Sequence, residues 1–180
     1  MLGLGVNLAG RKGKRVVYKY TSDFSDSYDA ATDLIVPFSV QGNLTFTANF
    51  DATLDGEAND WLKIQYDTNQ TDGSGSGVEL DGTSSRISSG DIIQVDYKIY
   101  IVNNTNAWGP NNTISLTASC RNSNATTNIT ANSTVSYSKT LTAGSGSAAN
   151  LIIARFNLPE DKPQAGAIFY LKDIIVTVTR

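Results

Sequence analysis

Few side chains in this sequence could carry acid–base chemistry. Histidine is absent, and the only glutamates are Glu57, Glu79 and Glu160. Histidine is the side chain that titrates near neutrality without help from its surroundings. Without it, no Ser-His-Asp or Cys-His pair and no imidazole metal site can be assembled. A glycosidase-type pair of carboxylates remains, and it needs one acid kept protonated in an apolar pocket. The three glutamates stand in Gly56-Glu57-Ala58, Gly77-Val78-Glu79 and Pro159-Glu160-Asp161, polar stretches that read as loop or strand edge. The expectation is a protein that is not an enzyme and needs no catalytic cofactor.

Residues suited to recognition are better represented. Trp61, Lys63 and Gln65 alternate with Leu62, Ile64 and Tyr66, and Gln94, Asp96, Lys98 and Tyr100 alternate with Ile93, Val95, Tyr97, Ile99 and Ile101. In an extended strand each set falls on one face. Trp108 adds an aromatic side chain in the Asn-rich loop Asn103–Asn112. Aromatic faces hold apolar ring surfaces while polar neighbours fix orientation. Trp61, Lys63, Gln65, Gln94, Asp96, Tyr100 and Trp108 are therefore the expected ligand-facing set. The competing reading has Trp61 plugging the end of the fold and Trp108 anchoring its own loop.

The elements that must position these residues are strands. No stretch of helical length shows apolar residues at i, i+3, i+4 and i+7, whereas period-two alternation recurs. Leu44, Phe46, Ala48 and Phe50 share a face opposite Asn and Thr, and later strands are expected near Thr113–Cys120, Thr134–Leu141, Asn150–Asn157 and Ala167–Thr179. Half-polar alternation marks antiparallel strands with one face in water. Turn compositions at Asp72–Gly77, Asn103–Asn112 and Ala143–Ala148 separate them. The sequence predicts an all-β chain: a jelly-roll β-sandwich of two antiparallel sheets with an extended N-terminal arm.

The chain has 180 residues, a size expected of one domain. Its net charge of −3 argues against a phosphate-binding partner, so nucleic acid is not expected. No apolar run approaches the roughly 20 residues that span a bilayer, so no membrane partner is expected either. Arg11, Lys12, Lys14 and Arg15 crowd one short window ahead of the first alternating segment. Residues 1–15 are read as an arm whose clustered charge docks on an acidic partner, and 16–180 as the folded domain. Met1–Gly10 lacks the order of charge and apolar residues of a secretory leader, which predicts use without export. The Asn-X-Ser/Thr triplets at Asn43, Asn69, Asn103, Asn111, Asn124, Asn128 and Asn132 then read as the product of an Asn/Thr-rich surface. Cys120 has no partner cysteine and is expected to be a small buried apolar residue.

Three segments carry a resemblance. Tyr20-Thr-Ser-Asp-Phe-Ser25, Gly90-Asp-Ile-Ile-Gln-Val-Asp-Tyr97 and Ile168-Phe-Tyr-Leu-Lys-Asp-Ile-Ile-Val-Thr177 together resemble carbohydrate-binding modules of the family 4/9, galactose-binding-like jelly-roll type, over about Tyr20–Thr179. The resemblance implies a glycan ligand and a candidate structural calcium between the first and last strands. Asp23, Asp26 and Asp173 are the ligands it suggests, with Asp29 and Asp33 nearby; Lys172 stands where the family has a further acid. The opening Met1-Leu-Gly-Leu-Gly-Val-Asn-Leu, the basic turn and Tyr-Thr-Ser-Asp-Phe also resemble small virion proteins of tailed phages of gut Bacteroidetes, including crAss-like phages. That likeness implies a head fibre, capsid decoration or similar appendage subunit. It would be assembled in the host cytoplasm, would dock on other virion proteins through Arg11, Lys12, Lys14 and Arg15, and would form a homo-oligomer that contacts a host surface glycan.

Overall fold

A computed structural model describes residues 15–20, 27–29, 34–36, 38–41, 44–50, 52–58, 61–69, 77–80, 83–102, 113–156 and 164–180. Among them the regular elements are strands and one 3-10 turn, Thr83–Ser85. In chain order the strands are β1 (Arg15–Tyr20), β2 (Ser27–Asp29), β3 (Leu34–Val36), β4 (Phe38–Gln41), β5 (Leu44–Phe50), β6 (Thr53–Leu54), β7 (Glu57–Ala58) and β8 (Trp61–Tyr66). They continue with β9 (Gly77–Leu80), β10 (Ile92–Ile101), β11 (Thr113–Cys120), β12 (Ser123–Thr130), β13 (Thr134–Thr142), β14 (Leu151–Phe156) and β15 (Ile168–Thr179).

The strands build two antiparallel sheets, as the alternation predicts. The larger runs β13-β10-β15-β1-β2-β3, with β8 and β5 joined to the other half of the same β15 edge. Strand β15 is the hinge of this arrangement: Ile168–Leu171 pair with β8, Ile175–Thr179 pair with β1, and β10 lies along the opposite edge. The smaller sheet runs β12-β11-β14-β9-β4. Consecutive strands switch sheets, β4 to β5 and β12 to β13, which is how a jelly roll closes around one core.

Alternation decides what enters that core. Ile93, Val95, Ile99 and Ile101 of β10, with Phe169, Leu171, Ile174, Val176 and Val178 of β15, meet Leu116, Ala118, Leu151 and Ile153 of the smaller sheet. Each such side chain stabilises by roughly 1.5–3 kcal/mol when fully buried. Cys120 is buried among them, and burial pushes its thiol pKa up. Two tyrosines tie the sheets together. Tyr97 and Tyr137 stack at 4.6 Å; the Tyr97 hydroxyl donates to Ile153 O at 3.0 Å, and the Tyr137 hydroxyl donates to Ala125 O at 2.9 Å. Desolvation raises both phenols, that of Tyr137 from 10.0 to about 12, because a phenolate has no water there to stabilise it.

Three local readings change. Glu79, expected in a loop or strand edge, lies in β9 between β14 and β4 and is buried. Arg15, assigned to the arm, opens β1 opposite Thr179; Arg11, Lys12 and Lys14 lie outside the described residues. Strand β12 was not expected, because Ser-Asn-Ala-Thr-Thr-Asn-Ile-Thr is an edge strand that sends Ile129 alone fully into the core.

Candidate functional site

The outward face of the larger sheet collects nearly all the predicted ligand-facing residues. Register puts Lys63, Tyr170, Tyr100 and Thr134 side by side across β8, β15, β10 and β13. One step along, Lys172 and Lys98 pair, with Ser136 beside Lys98. Further along, Asp96 faces Ser138 and Gln94 faces Thr140. Gln65 lies at the opposite end, opposite Ile168. Trp108 lies outside the described residues.

Trp61 corrects the sequence reading. It stands on the outward side, as alternation requires, yet it is 0% exposed and does not join the core between the sheets. Its ring packs edge-on to Tyr170 at 6.3 Å, and the Lys172 ammonium sits 5.5 Å from its centroid. Tyr170 is 7% exposed, and burial first, the neighbouring Tyr100 phenol second, raise its pKa. The physical reason is a cover. Strands β6 and β7 form a hairpin through a two-residue turn, Asp55-Gly56, with φ of +51° and +81°, the pairing that suits a tight hairpin. Asp55 Oδ2 accepts the Thr134 amide at 2.8 Å. Bonded at its turn to the first residue of β13, three strands across the sheet from β8, this hairpin accounts for the burial of Trp61 and Tyr170.

Tyr100, in the Thr134 row, is half-buried and meets Tyr170 edge-on at 6.4 Å. Beyond it the face is open, and two rows further along, past Lys98, polar side chains form a closed network. Gln94 Nε2 donates to Asp96 Oδ1 at 2.8 Å and to Ser138 Oγ at 2.9 Å, Ser138 donates to Asp96 Oδ1 at 2.6 Å, and Thr140 donates to Gln94 Oε1. Mutual bonding fixes these rotamers while leaving them at the solvent boundary, so a ligand meets donors and acceptors already in place.

Between the two halves β15 takes an extra residue: Asp96 pairs with Ile175 but Lys98 pairs with Lys172. Asp173 sits within this bulge at φ +53°, and its carboxylate lies 3.4 Å from the Lys98 ammonium. Of the three suggested calcium ligands, this is the one whose side chain is described. Its charge is matched by the Lys98 ammonium. Asp23 and Asp26 lie outside the described residues, as does Asp33; the Asp29 backbone is in β2. Among the described residues no three carboxylates, thiols or imidazoles gather into a metal-binding group.

No family model matches this chain, and no curated protein matches it. Its fold does match solved structures. The CBM22-1 xylan-binding domain of Paenibacillus barcinonensis Xyn10C is similar with a TM-score of 0.53 at 12% identity, over 96% of this chain and 99% of that one. The CBM22-1-CBM22-2 tandem domain of the same enzyme gives 0.57 at 11% identity, over 96% of this chain and 47% of that one. The CBM22-1-GH10 modules of Clostridium thermocellum endo-1,4-beta-D-xylanase 10B, complexed with xylohexaose, give 0.52 at 12%, over 91% of this chain and 28% of that one. At such identities the likeness is one of fold: this chain is a jelly-roll β-sandwich of the kind found in CBM22 carbohydrate-binding modules.

Proposed function

We propose that this protein is a non-catalytic glycan-binding module whose ligand lies on the open half of the larger sheet's outward face. The observation that carries the reading is the Gln94–Asp96–Ser138–Thr140 network, on the same face as half-buried Tyr100 and two rows from it across Lys98. Tyr100 offers a ring face for one sugar unit, and the network offers both donors and acceptors to the hydroxyls of another unit further along the glycan chain. Lys98 and Asp173 border this surface; Lys63, Gln65 and Lys172 lie towards the covered half. The fold shared with carbohydrate-binding modules supports the reading. Affinity electrophoresis and a glycan array test it, with xylan as the first probe because the xylan-binding domain shares the fold. Binding by the wild type that is lost in Tyr100→Ala supports the proposal. Absence of binding across neutral plant, bacterial and host glycans overturns it.

A second reading makes the same domain a virion component. It rests on the basic cluster Arg11, Lys12, Lys14 and Arg15 and on the opening residues. In it the arm docks on other virion proteins, and a homo-oligomer displays the sheet face towards a host surface glycan. Because Arg15 belongs to β1, the informative truncation ends at Lys14. Removing residues 1–14 should leave melting unchanged and abolish incorporation into the particle. Incorporation at full occupancy rejects this reading.

A further inference from the structure

The outward face of the smaller sheet carries a pocket that the glycan reading above does not use. It holds about 300 Å³ at the end of β11, β12 and β14. That lies at the lower limit of the roughly 300–1,000 Å³ over which small-molecule sites range, so it suits one sugar-sized unit. Register places Asn124, Ser119 and Ile152 in one row as its floor, with Arg155 in the next row beside Thr117 and Thr126. The walls are the Arg121-Asn122 turn and the Ala149-Asn150 segment that leads into β14.

Several contacts build this shape. Arg121 and Asn122 both take left-handed backbone, φ +48° and +63°, which an arginine adopts at a cost. The turn is held there by Arg121, whose Nε donates to Gly144 O at 3.4 Å and whose terminal nitrogen donates to Ile87 O at 3.3 Å. Gly144 and Gly146 pass so close that a Cβ on either would overlap the Arg121 carbonyl or the Asn122 amide. On the other wall, Asn150 Oδ1 accepts the Ser84 amide at 3.2 Å.

The lining chemistry is selective. Asn122, Asn124 and Asn150 supply amides, Ser119 a hydroxyl, Arg155 a guanidinium and Ile152 an apolar patch; none of the lining residues is acidic. Glu79 lies beyond Ile152 in the same row and does not line the pocket. Amides donate and accept as sugar hydroxyls require, and a guanidinium is the fork that matches a carboxylate. We propose that this pocket is a second binding site, separate from the larger sheet's face, that takes one uronic acid unit, with its carboxylate on Arg155 and its hydroxyls on the asparagines.

The test is an NMR titration of the isotope-labelled full chain with glucuronate and, separately, with glucose. Glucuronate should shift the amides of Ser119, Asn124, Ile152 and Arg155, and glucose should bind there more weakly by about tenfold or more, the factor expected from one hydrogen bond to a charged group. Arg155→Gln should remove most of that difference. Asn124→Asp, at an exposed position on an edge strand, should weaken glucuronate by charge repulsion, and it serves if the Arg155 variant unfolds. Equal affinity for the two sugars, shifts at Tyr100 and Asp96 instead, or no shift with either sugar overturns the proposal. Of these outcomes only shifts at Tyr100 and Asp96 bear on the larger sheet, and they would support binding there while overturning the pocket.

Discussion

At the Trp61 end of the larger sheet's outward face, an indole, a phenol and a lysine lie packed beneath a hairpin; at the Gln94 end, four polar side chains bond one another at the solvent boundary. Both ends belong to the same strands and the same alternation. What separates them is a six-residue hairpin anchored by one carboxylate–amide bond, Asp55 to Thr134. Aromatic residues on a sheet's polar side therefore become core or platform according to what a distant connection does. The covered half is expected to contribute stability, and the open half recognition.

Trp61→Ala is the substitution that should separate the halves most. A fully buried tryptophan truncated to alanine costs about 3–5 kcal/mol, and denaturant unfolding should register a loss of that size. A loss below about 1 kcal/mol, the range of surface substitutions, would return Trp61 to the role of an open platform.

The covered half should also lose stability in alkali. Tyr170 has a pKa raised above 10.0 by burial, as have Tyr97 and Tyr137 in the core. The neutral phenol is thus favoured in the folded state. The stability this gives is fully present below pH 10, where the unfolded phenol titrates, and is lost as pH rises through the folded values. Melting temperature should fall steadily above pH 10, and Tyr137→Phe should flatten part of that fall. An unchanged melting temperature up to pH 12 contradicts the assignment.

Loosening the hairpin is a smaller perturbation. Asp55→Ala removes one hydrogen bond to a carboxylate, worth about 1.5–3 kcal/mol at most and less at an exposed turn. Its sharper signature is local: Trp61 fluorescence should shift to longer wavelength and become accessible to a soluble quencher, with the Gln94 network unchanged. On the open half the pattern reverses. Asp96→Asn should change melting little, because its partners Gln94 and Ser138 are also near water, yet it should weaken glycan binding measurably by calorimetry. If Asp96→Asn lowers stability as much as Trp61→Ala, the division into two halves fails.

Much of this arrangement was legible in the sequence. The alternation in β8 and β10 assigns Leu62, Ile64, Tyr66, Ile93, Val95, Tyr97, Ile99 and Ile101 to the core, and the structure puts all eight there. The same alternation places Trp61, Lys63, Gln94, Asp96 and Tyr100 on the opposite face. It could not show that Trp61 is covered, since the cover depends on an aspartate bonding an amide 79 positions away. Strand β12 escaped because an edge strand need send few residues inward, and Asn/Thr repeats carry no apolar period. The Arg155 pocket escaped for a related reason: its lining comes from a turn, a loop and three neighbouring strands that no local spacing brings together.

Asp173 marks the boundary between the halves, and its substitution should have the smallest effect. The residue meets two opposing terms: a left-handed backbone that costs a non-glycine residue about 1–2 kcal/mol, less for an aspartate, and an exposed ion pair with Lys98 worth about 0–1 kcal/mol. Glycine removes both, so Asp173→Gly should change stability by less than about 1 kcal/mol, of either sign. Asp173→Val removes the ion pair and keeps the strain in a β-branched residue, so it should be the less stable of the two. If the bulge serves to hold Lys98 at the edge of the open half, Asp173→Gly should weaken glycan binding while its melting stays near wild type. Wild-type affinity in the glycine variant would make the bulge a device for strand register alone, letting β15 pair with β8 on one side of it and β1 on the other.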